Sequence, residues 1–89
     1  MIIDNKKINL GGGKTKIEGY TNIDILDLPE VNIVTNLNKG IPLPDDSVNE
    51  VMALSILEHL DDTCFIMQEI YRVCKNNAKV IITVPYFKS

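Results

Sequence analysis

Apolar and polar positions along the chain follow two periods. The residues Ile2 to Leu10 read as a first strand. It includes the turn-prone Asp4-Asn5-Lys6 and runs straight into Gly11-Gly12-Gly13. Thr21 to Ile25 reads as a second strand, and the β-branched run Val31 to Thr35 as a third. Val48 to Leu54 reads as a fourth, with Asn49 and Glu50 at its start and Val48, Val51 and Met52 as its apolar members. From Thr63 to Lys75 the period changes: Ile66, Ile70, Val73 and Cys74 recur at i, i+4, i+7 and i+8, one face of a helix. Asp61 and Asp62 suit its N-cap and dipole, and Arg72 and Lys75 its last turn. Asn76-Asn77 is expected to close it, because asparagine tolerates the left-handed conformation. Lys79 to Val84 is a nearly continuous apolar run, as in a strand covered on both faces, and Pro85 ends it.

The connections are short. Lys14 to Gly19 is a polar loop, and Leu26 to Glu30 is too short and too proline-broken for a full helix. Asn38 to Ser47 holds two prolines and a glycine and is expected to be irregular. Ser55 to Leu60 reads as a turn with a short helical piece. A parallel crossover normally takes a dozen or more residues and a helix. Only the last connection is long enough to hold a full helix. The sum is one small α/β domain over residues 1–89, with five strands and one solid helix.

Composition narrows the picture. The 89 residues are 45% apolar and 24% charged, as in an ordinary soluble domain, with a net charge of −3 and no block of like charge. That balance argues against a nucleic-acid surface, which needs a basic stripe. No apolar run approaches the ~20 residues of a membrane span, and Met1-Ile2-Ile3-Asp4 lacks the basic start of a signal peptide. Cys64 and Cys74 stand about 15 Å apart if both lie in one helix, beyond disulfide reach. They are expected to be reduced and packed in the core of a cytoplasmic protein.

Candidate chemistry gathers at the glycines. A strand that ends in a glycine turn is how open α/β sheets build nucleotide pockets at the carboxyl ends of their strands. The second strand ends in Asp24, where a carboxylate can accept hydrogen bonds from ribose hydroxyls. A glycine run that only turns the chain, and a solvated strand-end carboxylate, are the plain alternatives. Asp45 and Asp46 have no third ligand and make a poor cation cage, so no metal site is expected.

In series, the runs I-N-L-G-G-G, G-Y-T-N-I-D, I-V-T-N-L, I-P-L-P-D-D-S-V-N-E-V, S-I-L-E-H-L and E-I-Y-R-V-C-K-N-N-A-K-V-I-I-T-V-P resemble the class I SAM-dependent methyltransferases. The likeness is greatest to the type 11-like group, and it covers nearly the whole chain. It implies a Rossmann-like fold, truncated here, with a mostly parallel five-stranded sheet of order 3-2-1-4-5 and few helices. It further implies that Gly11, Gly12 and Gly13 pass under the methionine part of S-adenosylmethionine, and that Asp24 binds its ribose. Asn36 and Leu37 match the pair that meets adenine. Asn36 stands where an aspartate is common, and its side-chain oxygen can accept the same bond. Ser55 and Ile56 match the segment beside the sulfonium. His59 reads as an orienting or capping residue rather than a general base. Asn76-Asn77 replaces the usual Pro-Gly turn, and no catalytic side chain is assigned.

The implied activity is methyl transfer from S-adenosylmethionine to an unknown acceptor. The alternative is a non-catalytic module of the same fold that binds the cofactor or another protein. In the family two further strands follow the fifth, so the run from Lys79 is expected at an open apolar edge. Assembly is therefore expected, as a homo-oligomer or with a second protein subunit that covers the sheet.

Overall fold

The computed structural model describes residues 6–54 and 56–83, with Glu58 described by its backbone alone. Its strands are β1 (Lys7–Leu10), β2 (Thr21–Asp24), β3 (Ile33–Val34), β4 (Val48–Leu54) and β5 (Cys74–Thr83), and its α-helix is α1 (Thr63–Val73). They form one sheet of order β3-β2-β1-β4-β5 in which every pairing is parallel. The sheet order and the scarcity of helices are those expected from the sequence. No helix among the described residues is long and apolar enough to cross a membrane.

Alternation along the strands separates the two faces. Ile8, Leu10 and Ile23 join Val51 and Ala53 of β4 in one buried cluster, and α1 adds Ile66, Ile70 and Val73 to it. The Asp62 carboxylate caps α1 by accepting from Phe65 N at 3.1 Å. The alternate positions Asn9, Asn22 and Asp24 are polar, yet each is more than nine-tenths buried. The segments 11–20 and 25–32, which hold no helix, account for this. Asn22 Oδ1 accepts from Gly12 N, while Asn22 Nδ2 donates to Gly13 O at 3.0 Å and Glu30 O at 3.1 Å. Asn32 Oδ1 accepts from Asn22 N at 2.8 Å. One asparagine thus staples both short crossovers to the sheet and satisfies polar groups that would be costly to bury unpaired. Across the strand pair, Asn9 Oδ1 is buried with no hydrogen-bond partner among the described residues.

A second set of bonds holds the proline-containing loop. The Arg72 guanidinium donates to both Glu69 oxygens, to Asp45 Oδ1 at 2.7 Å, and to the carbonyls of Ile41 and Leu43. Glu69 Oε1 accepts in turn from Ile41 N at 2.9 Å. The bond from Arg72 holds the Glu69 carboxyl below its ordinary pKa, and both acids raise that of Arg72.

Several boundaries differ from expectation. β1 is described from Lys7, and the expected residues 2–5 lie outside the described region. β2 stops at Asp24, one residue short of Ile25. β3 keeps only Ile33–Val34, because Val31 N bonds back to Leu28 O in a turn. The helix ends at Val73, so Cys74 and Lys75 belong to β5 instead. The reason is long-range: Cys74 already pairs with Val48, and a register shift then places Lys79 opposite Glu50. Asn77 adopts φ 67° within that irregular stretch, the left-handed conformation expected of it but not at a helix end. The apolar run of β5 stands at the sheet edge, as expected, but is not covered on both faces, since Val80 is 41% exposed; Val84 and Pro85 lie outside the described residues. Both cysteines are free, but Cys64 is exposed and only Cys74 is half-buried. Cys64 lies two residues before Ile66, about 200° around the helix from it, which turns it away from the core.

Candidate functional site

Four strand ends meet at one end of the sheet. Gly11 follows β1, its N–H extends the ladder by donating to Ile23 O at 2.7 Å, and its φ is 69°. A side chain at Gly11 would collide with Ile56, which follows β4. Gly12 is crowded from the other side, where an added Cβ would meet Asn22 Oδ1 and lie 2.6 Å from Asn9 Nδ2. Gly13 has φ 54° and open space around it, so that an added Cβ would come no nearer than 3.8 Å to Asp24 Oδ2.

Asp24 ends β2 with 8% of its surface exposed. Its Oδ2 accepts from Gly13 N at 2.8 Å and its Oδ1 from Leu26 N at 3.0 Å. A carboxylate offers about four acceptor sites, so each oxygen keeps capacity for one more donor. The solvated strand-end reading of Asp24 therefore does not hold. Asn36 follows β3, and its Oδ1 accepts from Asn38 N at 3.0 Å and so caps the short 3-10 turn Leu37–Lys39. Leu37 is buried beneath it at 3% exposure. A matching 3-10 turn, Leu57–His59, follows β4.

Gly11, Asp24, Asn36, Leu37 and Ile56 line one cleft of about 110 Å³, together with Ile25, Asn38, His59 and Leu60. Gly12 and Gly13 are not among its walls; they shape the turn behind it. Ser55 lies outside the described residues. His59 is the last residue of its 3-10 turn, is exposed, and lines the cleft. Ile25 and Asn38 were not singled out from sequence. The position of Ile25, directly after the strand-end acid, was the available signal for it.

A larger groove, about 710 Å³, runs along α1 and the first half of β5, where Met67, Tyr71 and Val80 are exposed. It includes Asp45, Asp46, Cys74 and Asn76, which precede β4 or open β5, and so extends toward the opposite end of the sheet. The small cleft holds the convergent polar groups at the carboxyl ends of parallel strands, where open α/β sheets bind their ligands.

Comparison with known proteins agrees with the fold. The family model described as a methyltransferase domain matches residues 13–82, most of the chain. A SAM-dependent methyltransferase from Aquifex aeolicus, known from its crystal structure, is similar in fold, with a TM-score of 0.60 at 18% identity. The likeness covers 81% of this chain and 52% of that one, so the chain spans about half the length of that structure. No curated protein matches the chain in sequence. The match spans well over half of the chain and the strand order accords with it: the chain belongs to the methyltransferase-domain family.

Proposed function

We propose that this domain binds S-adenosylmethionine in the Gly11–Leu60 cleft and serves the transfer of its methyl group to an acceptor. The observation that carries the reading is the Asp24 carboxylate. It is held rigidly by Gly13 N and Leu26 N, yet keeps acceptor capacity on both oxygens for a pair of ribose hydroxyls. Ile25, Leu37 and Ile56 supply apolar walls for a base, and Asn36 Oδ1 has a second lone pair beside them. The cleft is smaller than an enclosed ligand pocket of ~300–1,000 Å³, so the bound molecule stays partly exposed. A sulfonium cofactor brings its own activated methyl group, and the protein's task is to position it. Glycine at 11 keeps the backbone and Ile56 in close contact at the cleft floor.

A second reading is supported by the same bonds. Gly13 and Leu26 give Asp24 a structural role that needs no ligand, as in a family member kept as a non-catalytic module. Calorimetric titration with S-adenosylmethionine and S-adenosylhomocysteine separates the two. The proposal expects about one ligand per chain. Asp24→Asn, which keeps an acceptor for the loop but loses the charge, is expected to weaken binding roughly 5- to 150-fold, or ~1–3 kcal/mol. A folded chain that binds neither compound contradicts it.

A further inference from the structure

We infer that Asn38 is a positioning residue that sets the width of the cleft, an inference that rests on the nucleoside-binding reading above. The cleft has two walls that are distant in sequence. One follows β3 and contains Asn36, Leu37 and Asn38; the other follows β4 and contains Ile56, His59 and Leu60. Asn38 joins them directly, since its Oδ1 accepts from Asp61 N at 2.9 Å across 23 residues of chain.

The base of the first wall is held firmly. Gly40 lies against α1 so closely that an added Cβ would come within 2.7 Å of Glu69 Oε1, and the next residue donates its N–H to the same oxygen. Near the mouth the tie is the Asn38–Asp61 bond, which is exposed. Asn38 is itself one of the residues that line the cleft. Its backbone N–H is held by Asn36 Oδ1 at 3.0 Å. A chain of bonds therefore runs from Asn36, beside the proposed base, through Asn38 to Asp61. Asp61 adjoins Asp62, which caps α1. An exposed hydrogen bond contributes little to global stability but fixes where one wall stands relative to the other.

The test compares Asn38→Leu, of similar size but with no acceptor, with Asn38→Asp, which restores the acceptor. S-adenosylhomocysteine affinity is read by calorimetry, the Asp61 amide exchange rate by NMR, and the thermal midpoint without ligand by circular dichroism. Asn38→Leu is expected to weaken binding about 3- to 10-fold and to speed Asp61 exchange, with a nearly unchanged midpoint. Asn38→Asp is expected to recover both. Wild-type binding that Asn38→Leu leaves unaltered overturns the inference alone, as does an Asn38→Asp protein that binds no better than Asn38→Leu. A loss of affinity matched by a large fall in midpoint also overturns it, because the residue is then only structural. A folded wild type that binds no S-adenosylhomocysteine overturns the reading of the cleft, and the role of Asn38 with it.

Discussion

The carboxylate of Asp24 accepts a 2.8 Å hydrogen bond from the backbone N–H of Gly13, eleven residues earlier. The end of β2 thereby fixes the turn that leaves β1. Removing the carboxylate leaves that N–H and the N–H of Leu26 without their acceptor. Asp24→Ala is expected to lose about 2–4 kcal/mol in urea unfolding, since losing a charged partner costs ~1–3 kcal/mol per group. Asp24→Asn keeps one of the two acceptors and turns an NH2 toward the other N–H, and is expected to lose less than Asp24→Ala but at least half as much. Equal losses would show that the retained acceptor bond contributes nothing to stability.

The three glycines are expected to respond differently to a methyl group. Gly12→Ala drives its Cβ into the Asn9–Asn22 amide pair, backed by two strands. Such overpacking costs about 1–3 kcal/mol. Gly13→Ala meets open space and is charged only for its left-handed backbone, roughly 1 kcal/mol. Denaturation of the two variants should therefore rank Gly12→Ala as the less stable. The reverse order would mean that backbone conformation outweighs crowding in this turn.

Stability should fall at acid pH partly through Glu69. Its folded-state pKa lies below the unfolded value of about 4.3. Its contribution is therefore complete above that value and is lost as pH falls through the folded pKa. Arg72→Ala removes the main cause of the depression and the donors to Ile41 and Leu43. The variant is expected to be less stable at neutral pH and to show a flatter loss below about pH 4.3. Urea midpoints measured from neutral to acid pH check both. A variant with an acid limb as steep as the wild type's would exclude Glu69 as its source.

The cysteines should be distinguishable by alkylation. Cys64 is exposed, whereas Cys74 is half-buried and burial raises its thiol pKa, which lowers its thiolate fraction at neutral pH. Mass spectrometry after brief iodoacetamide treatment should find Cys64 modified first, with Cys74 following more slowly. Equal rates in the folded protein would contradict the packing of Cys74.

Local patterns made some of this structure legible. The spacing of Val48 and Val51, after a loop broken by prolines, marks β4 at its observed bounds, and Asp62 caps α1 as its position before an apolar helical stripe suggests. The series of short motifs pointed to the sheet order. What depends on cross-strand register was not legible. The helix stops at Val73 rather than Lys75 because Cys74 finds Val48, a partner 26 residues away that no local period encodes. The asparagine staples have the same origin. Asn22 looks like an ordinary strand residue until its neighbours across the sheet place Gly12, Gly13, Glu30 and Asn32 around it. Asn38 likewise gains its place only when Asp61 is brought beside it.

The most direct measurement is the mapping of amide NMR shifts of the labelled chain during titration with S-adenosylhomocysteine. The expected result is saturable change at Gly11, Gly13, Asp24, Ile25, Leu37, Asn38 and Leu60, with the α1–β5 groove around Met67, Tyr71 and Val80 undisturbed. Change confined to that groove, or a folded chain whose spectrum does not respond, would contradict the account of this cleft as the cofactor site.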